Sequence, residues 1–306
     1  MRSLLAWLWI GMGLFVLGSC GNNNTAANTN TDTPNSGTIS ISVDESFKPV
    51  IEQQLLVFHS QFRKATVRVQ YKSEADCWRD FQSDSTRLVI VGRPLSRNEQ
   101  DLYKQKLRFT PSFAPLAMDA VTVITSKQNK DSLFTKQDLA DMLSGKTDRV
   151  TVVDGNNATS LVRFLKDSVL KNDQFGKNVF AADGSKALVN YIATHPTAVG
   201  FVSSGWVGNS LDTGLAKLAA KVRTNRVECT KCTQKGLYAL PTQNTIMYRE
   251  YPLVRRLYYV LKENHPGLGS GLVNFLSLER GQLIFSRSNL VPTKMYFVLR
   301  EGSIQE

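Results

Sequence analysis

Val150-Thr-Val-Val-Asp-Gly-Asn-Asn-Ala-Thr-Ser-Leu-Val-Arg-Phe-Leu-Lys-Asp-Ser-Val-Leu170 decides the fold. Val150 to Val153 is a short β-branched run, the mark of a buried strand. Asp154 to Thr159 is small and polar, as a tight loop requires. From Ser160 the apolar residues recur at Leu161, Phe164, Leu165 and Val169, which is helical spacing. A strand, a polar loop and a helix N-terminus in succession present unpaired backbone N–H groups to an anion. A looser copy lies near the start of the chain: Thr38 to Val43 is the strand, Asp44-Glu-Ser-Phe47 the loop and Lys48 to Phe62 the helix. The two loops are expected to face one cleft and hold a small anion between them.

The rest of the chain extends this alternation. Val67 to Tyr71, Leu88 to Val91, Ala117 to Ile124 and Ala198 to Val202 have strand patterns. Glu74 to Ser83, Asn98 to Lys106, Thr135 to Leu143 and Ser185 to Ala193 are expected helices. Lys217 to Arg223 and Gly236 to Leu240 are expected strands, and Pro252 to Glu263 and Gly269 to Gly281 expected helices. Strands alternating with helices predict an α/β protein with parallel sheets.

The 306 residues carry a formal charge of +11. That excess favours an anionic partner without choosing among nucleic acid, membrane surface and small oxyanion. Aromatic and basic residues are not interleaved along any strand as a nucleic-acid platform needs, so nucleic acid is not expected. Met1-Arg2, the apolar run Leu4 to Leu17 and Leu17-Gly-Ser-Cys20 have the order of a lipoprotein signal peptide, residues 1–19. Cys20 is then the acylated N-terminus, an anchor such as palmitate to a bacterial membrane. Residues 20–36, rich in Asn, Thr, Ala and Ser, are expected to be a flexible tether. No acid follows Cys20 in Gly-Asn-Asn-Asn, which favours a periplasmic, extracytoplasmic position in the cell envelope. Cys229-Thr-Lys-Cys232 lacks the strand-to-helix setting of a redox motif and the second ligand pair of a zinc site. A local disulfide or two inert thiols fit it, with Cys77 left over or paired to one of them.

Enzyme signatures are missing. There is no G-x-x-x-x-G-K-[ST], no G-x-S-x-G, and His59, His195 and His265 have no ligand spacing, so neither catalysis nor a metal is expected. Oxyanion chemistry remains. A dehydrated oxyanion needs convergent backbone N–H groups, hydroxyls and a guanidinium fork. Ser46, Arg93, Asn156, Asn157, Thr159, Ser160 and Arg163 are the candidates. Arg93 follows a buried strand at its carboxyl end, where ligands bind in open α/β sheets. Asp119 is the candidate acceptor for the proton of a hydrogen phosphate, which sulfate cannot supply.

Further marks are Arg93-Pro-Leu95, Asp119-Ala-Val-Thr-Val-Ile124, Gly200-Phe-Val-Ser203, Tyr251-Pro-Leu-Val-Arg255 with Leu257-Tyr258, and Gly281-Gln282 leading to Leu290-Val-Pro292. Through them the chain resembles the periplasmic phosphate-binding component of phosphate ABC transporters, from about Thr38 to Arg300. The resemblance implies a two-lobed type 2 periplasmic-binding-protein fold. Each lobe is a mostly parallel sheet flanked by helices, with a ligand cleft between lobes. Residues 37–118 plus 241–306 would form lobe 1 and 119–240 lobe 2, with crossovers near 114–124 and 237–244. It also implies lobe closure on inorganic phosphate, delivery to ABC permease subunits, and no cofactor. Two rivals remain. One is the same fold binding a different oxyanion or small acid. The other is a sensory or structural lipoprotein that has lost ligand binding. The loops depart from the family: Asp44-Glu-Ser-Phe47 replaces a Gly-Ser-Ser-Thr type, so two acids stand where the anion would go, and Arg163 comes one turn after the second loop.

Overall fold

A computed structural model describes residues 32–155, 158–209 and 212–294. Its strands are β1 (Ser36–Asp44), β2 (Lys64–Lys72), β3 (Thr86–Val91), β4 (Ser112–Ser126), β5 (Leu133–Phe134), β6 (Thr151–Asp154), β7 (Val179–Ala182), β8 (Val199–Ser203), β9 (Val222–Thr224), β10 (Arg226–Glu228), β11 (Tyr238–Ala239), β12 (Val254–Leu261) and β13 (Val291–Pro292). Its helices are α1 (Lys48–Gln61), α2 (Glu74–Phe81), α3 (Arg97–Leu107), α4 (Lys136–Ser144), α5 (Ser160–Ser168), α6 (Ser185–Thr194), α7 (Ser204–Val207), α8 (Thr213–Ala219), α9 (Gln243–Met247), α10 (Leu268–Ser277) and α11 (Glu279–Arg287).

The main sheet runs β2-β1-β3-β12-β4-β8-β6-β7. Its outer triplets, β2-β1-β3 and β8-β6-β7, are parallel, and β12 and β4 join them with antiparallel pairing. Strand β4 belongs to both halves. Ser112 to Ala120 pairs with β12, and Val121 to Thr125 pairs with β8. In the first half one core lies between β1, β3, α1, α10 and α11, around Ile39, Ile41, Phe58, Leu257 and Phe285. A core on the other face of that sheet gathers Cys77, Phe81, Val89, Val91 and Tyr103. The second half packs α5 and α6 against its strands through Leu161, Leu165, Leu188 and Ile192. A three-stranded sheet, β11-β10-β5, lies beside it.

The segment 252–263, expected as a helix, contains the strand β12. Val254, Leu257, Val260 and Leu261 fit helical spacing, but they are buried on a strand held between β3 and β4. A strand covered on both faces loses the polar alternation that would distinguish it from a short buried helix. Residues 217–223, expected as a strand, divide between the end of α8 and the start of β9. The single helix expected over 269–281 is two, interrupted at Leu278.

Residues 32–36 fall within the expected tether, yet they join the folded body. Asp32 is buried, pairs with Arg87 and accepts the N–H of Leu268 at 2.9 Å. The signal peptide, Cys20 and the rest of the tether lie outside the described residues. Cys229 and Cys232 form a disulfide in the connection between β10 and β11, and Cys77 is a buried free thiol whose pKa burial raises. Among the described residues no helix is long and apolar enough to cross a membrane.

Candidate functional site

Two strand-to-helix loops meet where the halves face each other. In the first, β1 ends on Asp44, whose Oδ1 caps the following 3-10 turn by accepting Ser46 N at 2.9 Å and Ser46 Oγ at 2.6 Å. In the second, Thr159 caps α5 by accepting Val162 N at 3.3 Å. That cap leaves the N–H of Ser160 pointing out of the helix, one of the orphan donors of any helix start. Asp44 Oδ2 accepts it at 3.1 Å, across the cleft. One carboxylate therefore gathers donors from both halves. The chain's own Asp44 stands where helix N-termini bind anions.

Behind it lies a second carboxylate. In the sheet register Arg255 of β12 faces Asp119 of β4. Arg255 Nε donates to Asp119 Oδ2 at 2.8 Å, and Nη1 donates to Ser160 Oγ at 2.8 Å. Asp119 also accepts Ser203 Oγ at 2.9 Å, Ser204 N at 3.2 Å and Ser204 Oγ at 2.7 Å. A carboxylate offers about four lone-pair directions, and those of Asp119 are all used. In this arrangement it orients Arg255 and has no direction left for a ligand proton. Arg255 is 5 % exposed, its guanidinium sits 4.5 Å from the ring centre of Phe47, and its Nη2 is buried with no partner among the described residues.

The halves touch directly around this network. Glu74, buried at the start of α2, accepts Gly92 N at 2.8 Å and Arg163 Nε at 2.6 Å. Ala75 N donates to Ala158 O at 3.1 Å. A Cβ on Gly92 would lie 2.7 Å from the Ser160 Cβ, so only glycine permits this approach. Two more acids line the contact. Asp154 is buried, accepts the Ser185 hydroxyl on Oδ2 and has no partner for Oδ1. Burial pushes its pKa up to about 7, with Glu45 and Asp44 adding like charge against the Ser185 hydrogen bond. Burial and then Asp44 raise the pKa of Glu45.

Of the residues expected from sequence, the structure brings Ser46, Ser160 and Asp119 into this network, with Thr159 as the cap behind it. Asn156 and Asn157 lie outside the described residues. Arg93 is turned away. Its guanidinium is held by both oxygens of Glu99 at 2.8 Å and lies 4.2 Å from the ring centre of Trp78. The Arg93 hydrogen bonds are the largest cause of the drop in the Glu99 pKa to about 2. Arg163 reaches the network only through Glu74. Sequence reasoning missed Arg255 as a ligand candidate. Its signal was a lone basic residue entering an apolar run, legible only once Val254–Leu261 is taken as a strand facing Asp119.

This arrangement can bind an oxyanion by hydrogen bonds and charge. His59 Nε2 accepts the N–H of Val67, and among the described residues no three His, Cys, Asp or Glu side chains converge as a metal site. Known proteins agree with the topology. The phosphate-binding protein PstS of Borreliella burgdorferi is 19% identical over 274 residues, covering 84% of this chain and 90% of that protein. A substrate-binding protein from Clostridium perfringens, solved with bound phosphate, superposes with a TM-score of 0.68 at 19% identity, covering 84% of this chain and 100% of that one. The regulatory domain of Synechocystis PCC6803 CcmR, solved with 2-PG, gives 0.53 at 13% identity over 79% and 96%. The family described as the PBP superfamily domain matches residues 28–279, and the chain belongs to it.

Proposed function

We propose that this chain is a solute-binding protein that captures inorganic phosphate outside the cytoplasm for an ABC permease, held to the membrane by an acylated Cys20. One observation carries the reading. Ser46 N and Oγ and Ser160 N, from opposite halves, converge on one carboxylate. Groups that solvate a buried carboxylate also solvate a phosphate oxygen. The phosphate-binding names of the relatives point the same way. Phosphate takes the place of the Asp44 carboxylate, whose side chain turns aside. Arg255 supplies its spare Nη2, and Asn156 and Asn157 are further candidate donors. Lobes meeting at 37–118 plus 241–306 and 119–240 would close on it by hinge motion.

Titration calorimetry of the purified protein with inorganic phosphate tests this. Binding at micromolar concentration is expected, and no heat up to millimolar phosphate would sink it. Incorporation of labelled palmitate, lost in Cys20→Ser, tests the anchor.

A second reading has its own observation. Asp44 satisfies the cradle from within the chain, as a lipoprotein acting through a protein partner would require. Thermal stabilisation by another oxyanion or a small acid beyond that given by phosphate would instead favour a different ligand.

A further inference from the structure

A cavity of about 740 Å3 opens between the halves on the outer side of the Glu74–Arg163 pair. We propose that it is a second binding site, for small organic anions that carry a flat apolar body. The proposal does not rest on phosphate binding at the inner cradle.

Its size is within the range of small-molecule sites, roughly 300–1,000 Å3. A bare oxyanion would leave most of that space to water. The walls come from both halves: Trp78 on α2 and Arg93 after β3 on one side, Arg163 and Lys166 on α5 and Phe175 beyond it on the other. The wall offers flat surface. The Arg93 guanidinium is stacked on the Trp78 ring and fixed there by Glu99, and Phe175 adds a second aromatic side chain. Stacked guanidinium and indole form a platform suited to a planar ligand.

The charge at the wall sets the sign of the ligand. Among the lining residues Arg93 is neutralised by Glu99 and Arg163 by Glu74; Asp167, 3.5 Å from Arg163, does not line the cavity. Lys166 Nζ has no hydrogen-bond or ion-pair partner among the described residues, so it is the uncompensated charge at the cavity. A carboxylate or phosphate group would pair with it while the apolar body lies against Trp78 and Phe175.

The inner cradle is a separate compartment. Glu74 stands between the two, accepting Gly92 N on the inner side and Arg163 on the outer. A ligand lying across α2 and α5 gains contacts only while the halves are together, so it would favour that arrangement.

The test is titration calorimetry of the purified protein with benzoate and with phenyl phosphate, repeated in excess inorganic phosphate. Binding unaffected by inorganic phosphate is expected. Lys166→Glu, a partly exposed change, should weaken it at least tenfold. Gln82→Trp, which narrows the cavity from an exposed position at the end of α2, should weaken it comparably. Both variants should leave inorganic phosphate binding as it was. Probe binding with no phosphate binding supports this site and counts against the inner one. The proposal is overturned if neither probe binds below millimolar concentration, if Lys166→Glu binds as well as the parent, or if inorganic phosphate displaces the probes.

Discussion

The inner cradle and the outer cavity are built from the same two halves, yet they handle charge in opposite ways. In the cradle Asp44 and Asp119 take up the donors, and the Arg255 guanidinium ties Asp119 to Ser160, whose N–H meets Asp44. In the cavity each arginine already has its carboxylate, and a lysine is left over. The basic excess of the whole chain therefore says little about the cleft itself, where Asp44, Glu45, Glu74, Asp119 and Asp154 gather around Arg255 and Arg163. Local pairing decides what each compartment can accept.

The contrast depends most on Arg255. Removing it in Arg255→Ala leaves Asp119 buried with only neutral donors and takes a partner from Ser160. Breaking a buried ion pair from one side costs about 3–5 kcal/mol. Denaturant unfolding measures this, and a loss under about 1 kcal/mol would mean that water reaches Asp119 and that the cradle is not a dry network.

Asp154 gives the next largest effect. Its folded-state pKa of about 7 lies above the ordinary 3.8. Below the lower value both folded and unfolded chains hold the proton. Between the two, only the folded chain holds it, so stability falls as pH rises through this window and levels off above about 7. The shift corresponds to roughly 4 kcal/mol. Asp154→Asn should flatten that part of the curve and melt above the parent at pH 8. An unchanged pH slope would show that the carboxyl is ionised throughout.

Much of the architecture was legible, because the two strand–loop–helix units express themselves locally. Val150 to Val153 and Thr38 to Val43 have the apolar character of buried strands, and Leu161 and Leu165 mark the inner face of α5. The partners of the arginines were not legible. Arg163 is 89 positions from Glu74, and nothing local links them. Its place after a buried strand suggests Arg93 as a ligand, but its acid partner lies six residues further on, on α3. Position at a strand end favours binding and does not say whether the charge is already spent. The Asp44 loop was the informative departure. Acids at the start of the cleft were visible in sequence, and the fold directs one of them into the cradle.

The contact between the halves gives a smaller effect. In Gly92→Ala the new methyl would meet Ser160 at 2.7 Å, closer than side chains approach. Overpacking of this kind costs about 1–3 kcal/mol. The strain is relieved if the halves separate, so amide exchange at the start of α5 should quicken while β1 and β3 stay protected. Unaltered exchange would mean that the loops relax without opening the cleft.

The smallest effect tests the comparison itself. In Asp44→Asn the side-chain oxygen can still accept the N–H of Ser46, so the turn before α1 is kept. The carboxylate charge at the start of α5 is lost. If that charge competes with phosphate for Ser46, Ser160 and Arg255, phosphate should bind about tenfold more tightly, or ~1.4 kcal/mol, with little change at Lys166. The outer cavity should bind benzoate as before, since Asp44 does not line it. Weaker phosphate binding would invert the argument. Asp44 would then be a partner of the ligand, accepting its proton in the role that the saturated Asp119 cannot fill.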